Sequence, residues 1–176
     1  YKPENYDRKF HGPVQLRFAL GSSINIPTVK LLALVGVGNM LSTAYNMGIS
    51  TLAQTNENIN RLGLSLTLGG GEVKLIELAS AYAAFANGGY KVEPIAILKV
   101  ADSKGSVLFE QKDVEKRRVI EPEVAFIISH MLLDNNARLI TFGPNSYLNI
   151  KGVTVAVKTG TTDDKRDNWT IGWTPS

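Results

Sequence analysis

The amino-terminal stretch carries no hydrophobic period: residues 1–12 mix Tyr, Pro, Asn, Asp and Gly, which predicts an extended loop. Periodicity begins at Pro13, a residue suited to a first helical position, and continues through Val14, Leu16, Phe18, Ala19 and Leu20, with Gly21 as the stop. Residues 22–25 read as the turn that follows, and Ile26-Pro27 starts a second helix to about Leu34. Ser23 and Asn25 therefore fall at a helix junction, where a hydroxyl and a carboxamide two residues apart can face one cleft. A third helix is expected from a cap at Asn39 through Tyr45, closed by Gly48, and residues 50–60 predict a polar surface excursion. Between Val73 and Asn87 the residues Leu75, Leu78, Tyr82 and Phe85 step three and four apart. Ala79, Ala83 and Ala86 thin that helix for close packing, and Asn87-Gly88-Gly89 ends it.

The second half of the chain changes period. Residues 94–100 and 106–110 predict a hairpin joined by Ala101 to Gly105. Glu121-Pro122-Glu123 opens a helix with Val124, Ile127, Ile128, Met131 and Leu132 on one stripe, and His130 within it reads as a core or boundary histidine. Residues 138–148 predict a polar loop. A β-branched, nearly uncharged run from Gly152 to Val157 then reads as a buried strand, and its successor over residues 168–173 as an antiparallel partner across a charged turn at residues 163–167. The sum is an α+β fold with one antiparallel sheet holding both the hairpin and the late strand.

The chemistry gathers where that late strand ends, at Lys158-Thr159-Gly160-Thr161-Thr162. Lys158 offers a point charge, Thr159 and Thr161 offer hydroxyl donors, and Gly160 lets a ligand's backbone come close. A peptide ending in a carboxylate could bind there as an added strand. The tripeptide by itself is also the end of an ordinary strand, so the rest of the chain must decide. Two other glycine-rich passages carry no nucleotide signal. Val35 to Leu41 lacks a third glycine and a preceding strand, and Gly69-Gly70-Gly71 lacks a Lys-Ser/Thr partner and predicts a tight backbone passage.

Composition narrows the classes. The 176 residues, 44% hydrophobic and 20% charged, suffice for one domain with its own core. A net charge of +3 with scattered basic residues leaves no nucleic-acid footprint. With no Cys and two His, there is no disulfide framework, thiolate chemistry or histidine metal cluster to expect, and no cofactor is implied. No apolar run reaches the roughly 18 residues of a membrane helix. The chain starts at Tyr1 inside a polar, aromatic passage and stops at Ser176 just after a strand. Residues 1–176 are accordingly expected to be a single partial domain, cut at both ends, from a longer polypeptide.

Ser23-Ile24-Asn25 followed in order by Lys158-Thr159-Gly160 resembles the transpeptidase domain of penicillin-binding proteins, whose three motifs are Ser-x-x-Lys, Ser-x-Asn and Lys-Thr/Ser-Gly. The flanks look like the class A, bifunctional branch: Asn5-Tyr6-Asp7, Leu16 to Leu20, Asn25-Ile26-Pro27, Leu68-Gly69-Gly70, Glu77 to Tyr82, Phe85 to Gly89, and Asp167-Asn168-Trp169. The likeness runs from Tyr1 to Pro175. Two departures stand out. No serine in this chain is followed three residues on by lysine, so the family's nucleophile motif is absent. Where relatives commonly cap the helix before Glu77 with Thr, this chain has Lys74, forgoing a side-chain cap worth about 0.5–2 kcal/mol.

The resemblance implies the penicillin-binding/β-lactamase-like fold, an antiparallel sheet with helices and a helical subdomain. It also implies acyl transfer through a serine ester on peptidoglycan stem peptides ending in D-Ala-D-Ala, with β-lactam antibiotics bound at the same place. Ser23 would relay a proton to the departing amine, Lys158 would tune that relay, and Asn25 would hold the substrate amide. Lys158, Thr159 and Thr161 would take the terminal carboxylate beside Gly160, and the Thr161 N–H would supply one of two oxyanion donors. The family further implies a parent anchored to the bacterial cytoplasmic membrane by a segment outside this chain, working on the extracytoplasmic face. Two other readings stay open: a non-catalytic module that binds stem peptides or protein partners, and a hydrolase of the D,D-carboxypeptidase or β-lactamase kind.

Overall fold

The computed structural model describes residues 2–162 and 166–174. The chain order is helical first: α1 (Leu16–Gly21), α2 (Asn25–Val35), α3 (Val37–Asn46), a 3₁₀ turn (Ser50–Leu52), α4 (Asn56–Leu62), a 3₁₀ helix (Gly63–Leu68) and α5 (Leu75–Ala86). Strands β1 (Tyr90–Val92), β2 (Lys99–Ala101), β3 (Val107–Glu110) and β4 (Lys116–Arg118) follow. After them come α6 (Pro122–Leu133), a 3₁₀ turn (Asn136–Arg138), α7 (Leu139–Phe142), β5 (Ala156–Thr161) and β6 (Asn168–Trp173). The α+β class expected from the sequence holds.

Two cores divide the labour. One lies among the helices, where Leu32, Leu41, Leu52, Leu62 and Ala81 are buried together. The other gathers Leu132, Ala156 and Trp173, with Leu20, Tyr82 and Phe85 packed against them. The α5 helix serves both: Ala81 faces the helical core, while the Tyr82 and Phe85 rings lie 5.5 and 5.6 Å from Trp173. Aromatic pairs at such spacings add about 0.5–1.5 kcal/mol each beyond the area they bury. Trp173 also donates its indole N–H to Ser129 Oγ at 3.0 Å, which ties β6 to α6.

Several boundaries differ from the sequence expectation, each for a local reason. The α1 helix starts at Leu16 rather than Pro13 and includes Gly21 as its last residue. Asn39 lies inside α3 and donates its amide to the Val35 carbonyl at 2.8 Å, so it satisfies the end of α2 instead of capping α3. Gly36, at φ 88°, ends α2 and begins α3 at once, and the two helices bend by 93° across it. The polar stretch 50–60 is not a plain excursion. Thr55 Oγ1 accepts from the Asn58 N–H at 3.1 Å and caps α4, whose Leu62 is buried. Lys74 does sit at the N-cap of α5 without a side-chain cap, and its ammonium pairs with Glu77 at 3.0 Å.

Of the stripe expected on α6, Leu132 is buried and Ile128 packs against the second core, whereas Val124 and Ile127 are each 48% exposed and Ala125, outside the stripe, is buried. Residues 138–148 are not simply a loop either. Arg138 is 1% exposed, and its guanidinium donates to the carbonyls of Leu148, at 3.1 Å, and Leu132. A buried guanidinium with carbonyl partners holds the end of α6 against the segment that leads into β5. The triple glycine does mark a tight passage: a Cβ at Gly70 would lie 2.6 Å from Ser65 Oγ, and one at Gly71 2.7 Å from Leu52 Cδ2.

Among the described residues the strands form three separate two-stranded antiparallel sheets, β1–β4, β2–β3 and β5–β6. The expected hairpin is therefore present, but it does not share a sheet with Lys158-Thr159-Gly160. Every residue of β2 and β3 is exposed, Val100, Val107, Leu108 and Phe109 among them, so the hairpin keeps its apolar side chains off both cores. The late strand begins at Ala156, not Gly152, because its ladder opens on the pair Ala156 and buried Trp173. The Lys-Thr-Gly tripeptide lies inside the strand as a consequence.

Candidate active site

The junction between α1 and α2 is a helix stop built with the wrong residue for its backbone. The Ile24 N–H donates to Ala19 O at 2.9 Å and the Ser23 N–H to Leu20 O at 3.2 Å, the paired bonds of a Schellman motif. The position that normally takes glycine holds Ser23, at φ 55°. A side chain in this left-handed region costs on the order of 1–2 kcal/mol. Strain of this kind persists only where the surroundings over-determine it. Here they do. Ser22 is fully buried and donates its hydroxyl to Ala137 O at 2.7 Å, and a Cβ on Gly21 would come within 2.8 Å of Ala137 Cβ. Of the two adjacent serines, only Ser23 has its side chain free for the cleft.

Lys158 reaches that side chain from β5. Its ammonium donates to Ser23 Oγ at 2.8 Å and to the Thr159 carbonyl at 2.6 Å, across 135 positions of sequence in the first case. Burial lowers the Lys158 pKa to about 8. At neutral pH the group is still mostly an ammonium, so it acts as a donor and makes the Ser23 hydroxyl a better acid. Its proton is nonetheless held loosely enough to respond to a neighbour. A folded pKa below the unfolded value means that the unfolded chain binds the proton more tightly between pH 8 and 10.5, so stability rises with pH across that window. Urea midpoints for the native chain should climb there relative to Lys158→Met, and a constant difference between the two would contradict the burial of this charge.

Asn25 is the first residue of α2, and its amide nitrogen donates to Glu4 O at 2.9 Å. That partner fixes the amide's orientation, since a carbonyl can only accept. Among the described residues the Asn25 oxygen and one amide hydrogen have no further partner and are left for a ligand. Thr159 is half-buried, while Gly160 and Thr161 are exposed. Among the described residues other than its two chain neighbours, no atom lies within 4 Å of where a Gly160 Cβ would stand. Among the described residues β5 pairs only with β6, so its other edge carries no strand. An extended chain could lie along it beside Lys158, Thr159 and Thr161.

The structure thus brings Lys158 of β5 onto Ser23, with Asn25 two residues further along the chain. Three residues of the flanking motifs lie beside them. Gly69 borders the end of β5, where a Cβ would lie 3.0 Å from Thr162 Cγ2. Thr162 and Asp167 close the strand end, with N–H to O at 3.0 Å one way and N–H to Oγ1 at 2.9 Å the other. Residues 163–165 of the expected charged turn lie outside the described residues. His130 is exposed, with its Nδ1 3.0 Å from the Arg17 guanidinium, and so is a boundary residue.

Comparison with known proteins bears on the family and the fold. A family profile described as the penicillin binding protein transpeptidase domain matches residues 1–176. Penicillin-binding protein 1A of Aquifex aeolicus is 35% identical over 173 residues, covering 98% of this chain and 22% of that protein. The structure of penicillin-binding protein 1A from Haemophilus influenzae superimposes with a TM-score of 0.75 at 26% identity, over 98% of this chain and 30% of that one. The imipenem acyl-enzyme complex of penicillin-binding protein A from M. tuberculosis shares the fold, with a TM-score of 0.75 at 23% identity over 98% of this chain and 42% of that one. The chain spans only about a fifth to a quarter of the length of the curated relatives it matches.

Proposed function

The chain belongs to the penicillin-binding protein transpeptidase domain family, and from that premise we propose that it forms the proton-relay and carboxylate-binding side of a serine D,D-transpeptidase of peptidoglycan. The observation that carries this reading is the 2.8 Å contact between Lys158 Nζ and Ser23 Oγ, which joins the family's second and third motifs.

The proposed chemistry is acyl transfer in two halves. A serine supplied by another segment of the longer polypeptide attacks the carbonyl before the terminal D-alanine. Its proton passes to the lysine of its own Ser-x-x-Lys motif. The peptide C–N bond breaks as an ester forms, and the departing amine takes a proton relayed through the Ser23 hydroxyl. An acceptor amine from a second stem peptide then attacks the ester and restores the serine. Lys158, Thr159 and Thr161 hold the terminal carboxylate along the open edge of β5, Asn25 holds the stem's amide, and the Thr161 N–H supports the oxyanion. A donor of that last kind is worth about 10²–10³ in rate. β-Lactams, which the M. tuberculosis relative binds as an acyl-enzyme, would be taken in the same place. Stem peptides lie outside the cytoplasmic membrane, so the working site belongs on its outer face, with the longer polypeptide anchored there.

One observation favours a second reading, a binding module without chemistry: no Ser-x-x-Lys occurs in these residues. Penicillin labelling with mass spectrometry separates the two. The longer polypeptide should gain the mass of one penicillin at a serine outside residues 1–176, and the isolated chain should gain none. An adduct on the isolated chain would overturn the division of labour proposed here, and an unlabelled longer polypeptide would put the binding module first.

A further inference from the structure

The segment Glu4–Lys9 has no regular structure, yet it is fixed to the start of α2 by two hydrogen bonds, at Asn25 and Ile26, two and three residues beyond Ser23. Asn25 donates to Glu4 O at 2.9 Å, and the Ile26 N–H donates to Asn5 Oδ1 at 3.0 Å. Asn5 is 6% exposed and spends both ends of its amide: Oδ1 on Ile26, and Nδ2 on Lys9 O at 2.7 Å. The Arg8 N–H returns to Asn5 O at 2.9 Å, and Asp7 Oδ1 accepts from the Lys9 N–H at 3.0 Å, which closes the segment on itself. Asn5 thus sits at the centre of a small self-supporting loop and presents one acceptor outward.

We infer that Asn5 is a positioning residue for the Ser23–Asn25 turn, in a role that rests on the transpeptidase reading above. The side chain at the head of α2 cannot cap the helix, because that position is Ile24. The Ile26 N–H is one of the four donors that a helix leaves without a partner in its own first turn. Asn5 supplies the missing acceptor from 21 residues away. Ser23 is held in a strained backbone whose alternative is to relax toward an ordinary turn, and the fixed first turn of α2 closes that escape on one side. The same loop fixes the Asn25 amide through Glu4 O, so one short segment sets both the Ser23 hydroxyl and the Asn25 carboxamide relative to Lys158.

The test uses the longer polypeptide that carries this chain, with Asn5→Ala and Asn5→Asp compared against the native protein. Three quantities are read: the penicillin acylation rate constant, the non-covalent penicillin dissociation constant, and hydrogen exchange at the Ile26 amide. Asn5→Ala is expected to acylate about 10–100-fold more slowly, since displacement of reacting groups by about 1 Å has effects of that size. Ile26 exchange should accelerate, with the dissociation constant changed far less. Asn5→Asp keeps the acceptor for Ile26 at the positive end of the helix and gives up only the donor to Lys9 O, so it should recover the Ile26 protection and most of the rate. A native rate in Asn5→Ala, or a slow rate with Ile26 still protected, overturns the role. If Asn5→Ala does not fold, Asn5→Asp decides: near-native acylation with Ile26 protected supports the inference, and a rate as low as that expected for Ala refutes it. A native protein that does not acylate at all fails the transpeptidase reading instead, and is told apart by that control.

Discussion

Lys158→Ala is expected to slow penicillin acylation of the longer polypeptide on the order of 10²–10³-fold. Two losses combine. A charge-assisted hydrogen bond to the ligand carboxylate contributes about 1.5–3 kcal/mol, which is one to two factors of ten. The rest comes from the Ser23 hydroxyl, which accepts from the Lys158 ammonium at 2.8 Å and relays a proton less well without it. The pH profile carries a second signature. The Lys158 pKa is lowered to about 8 by burial, so the ammonium proposed to hold the carboxylate is progressively lost above that pH. Acylation should fall there. Lys158→Arg keeps its charge throughout and should lose that descending limb, even if the larger fork lowers the plateau. Native kinetics in Lys158→Ala, or an unchanged limb in Lys158→Arg, would remove Lys158 from the site.

Ser23 separates function from stability. Ser23→Ala and Ser23→Gly both delete the hydroxyl, and both should slow acylation about 10²–10⁴-fold, the usual contribution of a positioned proton donor or acceptor. Their stabilities should differ. At φ 55° alanine keeps the backbone strain of the native serine, whereas glycine adopts that conformation freely. Glycine should therefore be the more stable of the two by about 1 kcal/mol, read as the difference in urea unfolding free energy. That would make Ser23 a site where a strained residue is kept for its chemistry. Equal stabilities would show that the junction relaxes without cost, and the over-determined geometry would then need another explanation.

Much of this protein is written locally. The stop at Asn87-Gly88-Gly89, the three-and-four spacing of Leu75, Leu78, Tyr82 and Phe85, and an antiparallel partner over residues 168–173 for the strand that carries Lys158 follow from propensity and period, which act over a few residues. Ser23-Ile24-Asn25 and Lys158-Thr159-Gly160 were legible for the same reason, as short motifs in a fixed order. What sequence could not supply were terms that depend on partners far along the chain. Asn39 looks like a cap but serves the carbonyl of Val35, and Arg138 looks like a loop cation but is buried on two carbonyls. On α6, Val124 and Ile127 of the expected stripe face outward while Ala125 is buried, and the hairpin β2–β3 shares no sheet with β5–β6 although Val100, Val107, Leu108 and Phe109 give it apolar side chains. The site itself belongs to this second class. The sequence determined which groups could do the chemistry. The tertiary structure alone decided that Lys158 meets Ser23, that burial lowers its pKa, and that Asn5 reaches the head of α2, because burial and long-range hydrogen bonds are properties of the packed chain.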